Sequence, residues 1–412
     1  MIGRRTFLAT GIGALAASLA SGQDKAAPRR VKSMLWLWMD GGMSQLDTWD
    51  PKPGHANGAG LRAIDTTVPG VSLSELMPRC AGQMHRLSLV RTVQLPRVLS
   101  GRAADTVSSA MHCSSPSDCD EVDPAAGTLL ASVLARPNAS VPAFVSIDSP
   151  SIPEVQYFGA EYLPFHISPD LEREWSQAGG ESPGPKAEVL LAAQDQTWEK
   201  DRRFPGSDRF GKARMLAQAL RSEPFRAALR TEGEPERLRK EYGSGFGRRC
   251  LQARRLVEAG ATVVEIAQHG WERGAETFDA IRSLSSELDA GLGTLVRDLA
   301  ERDLLRDTVI LCIGPGGRSA VLNAKGGRDP GVSTFSVALA GGSLKGGRVF
   351  GETGADGTLA TPPVNYADLQ ATLYRACGVD PNLKYQSPGH TRKFVSGGTW
   401  FTWGKPLSPL FD

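Results

Sequence analysis

None of the six cysteines is arranged as C-x-x-C, which excludes a dithiol redox motif and a zinc ribbon. The formal net charge is only +2, with no long basic tract. Charge therefore gives no reason to expect nucleic acid as a partner. No apolar run is long enough to anchor the chain across a bilayer, because Gly11–Ala20 falls far short of the ~20 residues a span needs. The histidines are few, and His55, His85, His112, His166 and His390 sit at no recognisable ligand spacing. Internal repeats and low-complexity tracts are absent as well.

What is there points to an exported α/β protein. The chain has 412 residues, 41% of them hydrophobic, enough for one large domain with excursions or for two smaller ones. Gly3-Arg4-Arg5-Thr6-Phe7-Leu8 reads as a twin-arginine signal. It is followed by the apolar run and a small-x-small site at Ser18-Leu19-Ala20. Residues 1–22 are accordingly assigned to a signal peptide, with the mature chain starting near Ser21 and no transmembrane anchor after cleavage. The expected location is periplasmic or extracellular. Gly11-x-Gly13-x-x-Ala16 imitates a dinucleotide fingerprint but has no strand before it, so it is set aside. In an oxidising compartment cysteines can pair; Cys113 and Cys119 are the local candidates, whereas Cys312 and Cys377 read as buried free thiols.

Strand-like apolar runs are expected at about 33–39, 87–93, 142–148, 261–267, 308–313 and 334–340. Helical patterns fall at about 73–85, 124–135, 186–200, 211–230, 234–259, 277–302 and 366–377. Leu284, Leu288, Leu292, Leu295 and Leu299 recur on one helical face, and Asp123-Pro124 suggests an N-cap followed by proline at the first helical position. Such alternation predicts a mostly parallel sheet with helices on both sides. The stretch 150–235 breaks the rhythm, has no convincing strand, and reads as a helical insertion or lid. The first strand, Ser33–Met39, ends in Asp40-Gly-Gly-Met-Ser44-Gln-Leu-Asp47-Thr-Trp-Asp50-Pro. Open α/β sheets bind ligands at the carboxyl ends of their strands, so this loop is the first place to look for a site.

The same opening segment resembles the signature of the exported bacterial family known as domain of unknown function 1501. The resemblance continues through Tyr242-Gly-Ser-Gly-Phe…Glu258-Ala-Gly260, His269-Gly-Trp271 and Asp298–Leu311. It resumes at Gly327-Arg328-Asp329, Ala340–Val349 and Asp368–Tyr374. Nearly the whole mature chain is covered, in order, which gives one domain over 31–412. That family is similar in turn to the alkaline phosphatase and sulfatase superfamily. The resemblance implies a three-layer α/β sandwich and hydrolysis of phosphate or sulfate esters with one or two divalent metals, which clamp the attacking and leaving oxygens.

Carried over residue by residue, the resemblance proposes Asp40, Asp47, Glu272 and Asp329 as metal ligands. Thr106 after Asp105 becomes the nucleophile at a helix start, where exposed amides suit a phosphoryl or sulfuryl group. Arg318 becomes an anion-binding residue. Plainer readings stand beside each. Asp40 also suits a turn aspartate satisfying local amides, Asp50-Pro51 is turn chemistry, Ser44 could be a cap, and Thr106 could be a helix-start threonine capped by Asp105. Arg318 could be a structural arginine. Three positions where relatives carry ligands hold Gly274, Pro315 and Pro330 instead. His269 lies five residues before the lost histidine position at Gly274. The resemblance leaves room for one divalent metal, Mg, Ca, Mn or Zn, and the loss of imidazoles tilts a surviving site towards Mg, Ca or Mn. The implied ligand is a small anionic ester or a glycan. Three readings follow: a weak or inactive hydrolase with an eroded metal site, an active metal-dependent ester hydrolase using Thr106, and a non-catalytic glycan- or protein-binding envelope protein.

Overall fold

The computed structural model describes residues 29–94, 124–136, 141–149, 160–168, 222–275, 277–330, 334–387, 390–395 and 404–412. Among them nine strands form one sheet: β1 (Ser33–Met39), β4 (Leu87–Gln94), β5 (Phe144–Ile147), β6 (Phe165–Ile167), β7 (Val263–Gln268), β8 (Thr308–Ile313), β9 (Thr334–Gly341), β10 (Arg348–Phe350) and β11 (Val364–Asn365). Two hairpins lie apart from it, β2 (Ala63–Asp65) with β3 (Ser72–Ser74) and β12 (Lys384–Ser387) with β13 (His390–Lys393). The strand order is β10-β4-β9-β8-β1-β7-β5-β6, and β11 also pairs with β4. β1 is central and parallel to both β7 and β8. β9 alone runs antiparallel to its neighbours β4 and β8, so β4 points the same way as β1. The expected mostly parallel sheet is the one observed.

The helices are α1 (Pro78–Gly82), α2 (Ala126–Leu134), α3 (Glu223–Leu229), α4 (Glu236–Tyr242), α5 (Phe246–Ala259), α6 (Phe278–Leu288), α7 (Thr294–Glu301) and α8 (Tyr366–Ala376). Strand alternation divides the core in two. Leu35, Leu37 and Met39 of β1 face the layer that contains α1, α3, α5, α6 and α7. Met34, Trp36 and Trp38 face α2 and α8. All seven residues of β1 are buried, as a strand covered on both faces must be. The result is a three-layer α/β sandwich.

Several helix boundaries depart from the sequence expectation. The stretch 234–259 is two helices, because Gly243 and Gly245 take φ of +84° and +56° between them, a region that ends a right-handed helix. The stretch 73–85 opens as strand β3 and becomes helical only at Pro78, the first residue of α1. Asp123 lies outside the described residues, and α2 starts after Ala125, which has no side-chain cap. Thr277 caps α6 through the amide of Ala280 as a threonine at that position should. A π turn at Asp289–Gly293 joins α6 to α7, and all five leucines of the stripe still reach the core. Asp289 leaves that turn to accept the amides of Arg79 (3.0 Å) and Cys80 (2.8 Å) at the start of α1. Within 150–235 the described residues are 160–168 and 222–235. They include edge strand β6, whose three-residue Phe-His-Ile run is too short to announce itself. Cys80, Cys250, Cys312 and Cys377 are buried and free; Cys113 and Cys119 lie outside the described residues.

Candidate functional site

Register brings the candidate residues together. Met39 of β1 pairs with Gln268 of β7, so the next residues, Asp40 and His269, leave the sheet side by side. Ile147 of β5 pairs with Ile266, which sets Asp148 on the other flank of His269. At this carboxyl edge Nδ1 of His269 lies 2.8 Å from Oδ2 of Asp40, and Nε2 lies 2.7 Å from the carbonyl oxygen of Asp148. A carbonyl can only accept, so Nε2 carries a proton; the carboxylate of Asp40 favours a second proton on Nδ1. Arg249 of α5 holds the Asp148 carboxylate. From β1 to α5 the groups therefore run from the Asp40 carboxylate through the imidazole to the Asp148 backbone carbonyl, and the Asp148 carboxylate, 3.6 Å from Nε2, meets the Arg249 guanidinium.

The electrostatics follow from these contacts. The hydrogen bond from His269, set against the opposing effect of burial, holds Asp40 below the usual carboxylate range. The same bond raises His269 above the ordinary imidazole value, again against burial, with the Asp148 carbonyl assisting. A lowered carboxylate contributes stability above its unfolded value of 3.8 that is lost as pH falls through the folded one. A raised histidine contributes stability below its unfolded value of 6.5 that is lost as pH rises through the folded one. The pair thus stabilises most between these limits. The His269 and Asp40 side chains are 44% and 36% exposed, so solvent screening holds the effect to about 1 kcal/mol or less. Urea melts of wild type and His269→Gln should differ more at pH 5.5 than at pH 9. A gap that does not change with pH refutes an ionic pair.

Gly41 and Gly42 shape the turn after Asp40, at φ of +88° and +83°. A side chain at 41 would meet the Glu272 amide at 2.5 Å, and one at 42 would meet the carbonyl of Gly316 at 2.9 Å. The loops after β1, β7 and β8 are therefore in backbone contact. Beneath them, Arg318 is 1% exposed. Its Nε donates to the carbonyl of Gly42 (2.8 Å), its Nη2 to those of Gly41 (2.6 Å) and Trp271, and its Nη1 to that of Arg328 (3.4 Å). Gln45 clasps the Arg318 backbone from both sides, accepting its amide at 3.0 Å and donating to its carbonyl at 2.8 Å.

A second buried clamp lies alongside. Arg328 Nε and Nη2 meet Asp47 Oδ2 and Oδ1 at 2.6 and 2.8 Å, and both side chains are fully buried. Ser44 adds its hydroxyl to Asp47, and Arg328 also reaches the carbonyl of Asn57 at 2.6 Å and those of Ser319 and Ala320. Asp50 is buried against Lys52, Arg91 and Thr353.

The geometry gives Asp47 and Arg318 other work than the sequence reading assigned them. Asp47 is the counter-ion of Arg328 rather than an open metal ligand, and Arg318 turns inward to loop carbonyls rather than out to an anion. Asp329 is exposed and accepts from Asn323 at 2.8 Å. Glu272 is exposed beside Gly41. Thr106 and Asp105 lie outside the described residues. Among the described residues no group of three His, Cys, Asp or Glu side chains is placed to hold a metal ion. A divalent cation wants free oxygen donors, yet Asp40, Asp148 and Asp47 each face an imidazole or a guanidinium. Among the described residues these donors do not fit one as they stand. The signal the sequence did offer for His269 was its place right after a buried strand; its partners depended on register.

The family described as Protein of unknown function (DUF1501) matches residues 31–399. The chain belongs to this family. No curated protein matches it. Solved structures similar to this DUF1501 chain include members of the alkaline phosphatase and sulfatase superfamily. One is the lipoteichoic acid synthase LtaP from Listeria monocytogenes, at 8% identity over 90% of this chain and 76% of that one, with a TM-score of 0.42. Another is the phosphonate monoester hydrolase SpPMH from Silicibacter pomeroyi, at 12% identity over 92% and 76%, with a TM-score of 0.41. A third is the PsFucS1 sulfatase from Pseudoalteromonas sp., at 14% identity over 91% and 71%, with a TM-score of 0.37.

Proposed function

We propose that this is an exported relative of the alkaline phosphatases and sulfatases that binds a small anionic ester or a glycan at the carboxyl edge of its sheet and turns it over weakly or not at all. The observation that carries this reading is the pairing of Asp40 with His269 and of Asp148 with Arg249. Cations supplied by the protein stand where carboxylates would otherwise collect metal. The side-chain-poor residues Gly274, Pro315 and Pro330 at expected ligand positions agree with it. Export rests on the twin-arginine segment at Arg4-Arg5, and among the described residues no helix is long and apolar enough to cross a membrane.

The test is metal analysis of the purified mature protein beside turnover of aryl phosphates and aryl sulfates. The expected result is far less than one equivalent of Mg, Ca, Mn or Zn and little or no product above the uncatalysed rate. Stoichiometric metal that disappears in Asp40→Ala, together with turnover, overturns the proposal. One observation favours an active hydrolase instead: β4 ends at Gln94 on the same edge as β1, so the chain carrying Thr106 departs from there. On that reading Thr106→Ala abolishes turnover and leaves the metal content unchanged.

A further inference from the structure

Three of the buried cysteines share one place. Cys80 lies on α1, Cys250 on α5 and Cys312 on β8, each fully inaccessible and all within the same core cluster. The π turn at Asp289–Gly293 joins two of them. A side chain on Gly291 would touch Cys250 Sγ at 3.0 Å, and one on Gly293 would touch the Cys80 amide nitrogen at the same distance. Each of the three thiols lies within electrostatic range of the other two. Cys377 is also buried and free, but it belongs to the opposite face of the sheet.

We propose that this thiol cluster makes folding redox-gated: the chain reaches its native state only if the core closes around Cys80, Cys250 and Cys312 while they are reduced, and packing then protects them. The thiolate is the reactive species in disulfide exchange. In the folded protein burial pushes these thiols well above their ordinary range, and no oxidant can reach them. An unfolded chain has neither protection. There, two cysteine thiols and one glutathione disulfide give one protein disulfide and two molecules of glutathione. A bridge needs a set approach of the two Cβ atoms and a defined torsion. Formed early, between any of these distant positions in sequence, it would fix a loop that the native packing of α1, α5 and β8 must then accommodate. For a chain exported as proposed above, the gate selects closure in the reducing cytoplasm before an oxidising compartment is met. The gate itself does not depend on export or on catalysis.

The experiment uses the full mature chain, unfolded in guanidinium with reductant. After reductant removal it is diluted into reduced glutathione or into glutathione disulfide. Native recovery is read by near-ultraviolet circular dichroism, and disulfides by mass mapping after acid quench. Recovery should fall about tenfold or more in glutathione disulfide, with cross-linked or glutathionylated peptides containing Cys80, Cys250 or Cys312. Already folded protein in the same buffer should keep all three unmodified for hours. Cys113→Ser/Cys119→Ser should stay sensitive, and Cys80→Ala/Cys250→Ala/Cys312→Ala should recover equally in both buffers. Should that triple variant fail to fold, the peptide map of the wild type decides alone. Equal recovery of wild type in both buffers, or a native protein bridged between any two of the three, overturns the proposal.

Discussion

Arg328→Ala should lose about 3–5 kcal/mol of stability, the cost of leaving a fully buried carboxylate without its counter-ion. The estimate rests on geometry: two parallel N–H···O contacts of 2.6 and 2.8 Å to Asp47, with both side chains at 0% exposure. Charge-assisted bidentate pairs are among the stronger hydrogen-bonded contacts in proteins. Removing one partner strands the other in a medium that cannot solvate it. Asp47→Ala should therefore destabilise to a similar degree, and Asp47→Ala/Arg328→Ala by much less than the sum of the two. Arg328→Lys should also fall well short of wild type, since one ammonium cannot serve both carboxylate oxygens and the Asn57 carbonyl. Urea denaturation of the four proteins measures this directly. An additive double variant would show that Asp47 and Arg328 do not act as a pair. The same result would reopen Asp47 as a ligand.

Arg318→Ala should cost about 3 kcal/mol or more, because it removes a buried guanidinium that satisfies carbonyls from the loops after β1 and β7. Gly41, Gly42 and Trp271 would each lose a charged donor without gaining water. Two readings of Arg318 separate here. An anion-binding arginine would weaken ligand binding on substitution and leave the fold intact. A clamp would lower the unfolding midpoint in the absence of any ligand, and Arg318→Lys would restore little of it. Loss of backbone order should be local as well as global, with faster amide exchange at residues 41–43 and 271–272 than in wild type. An Arg318→Ala protein as stable as wild type would refute the clamp.

Much of the fold was legible because β1, β7, β8 and β9 are apolar runs bounded by turn residues, and buried parallel strands require such runs. The leucine stripe of α6 and α7 was legible for the same reason: its period is local. What escaped was anything that depends on which strand lies beside which. Asp40 and His269 are 229 positions apart in the chain, and they meet only because Met39 pairs with Gln268. Asp47 and Arg328 were both recognised as motif residues, yet nothing local announces that they meet. The expected helix over 234–259 ran straight across Gly243-Ser-Gly245, where two positive φ angles separate α4 from α5. Motif spacing reports which residues a family keeps; it does not report whether they face a ligand or each other.

The central position of β1 also sets a timetable for synthesis. The strand is made long before its two neighbours, residues 263–268 and 308–313. Until both have been made, seven residues that end up buried, six of them apolar, have no native partner on either side, and contacts of such long range are slow to form. A nascent chain of this kind presents a sticky segment until residues 263–313 have followed it, the situation in which chaperones are needed. The sheet therefore cannot grow from the amino terminus outward. Its centre closes only after residue 313 has been made.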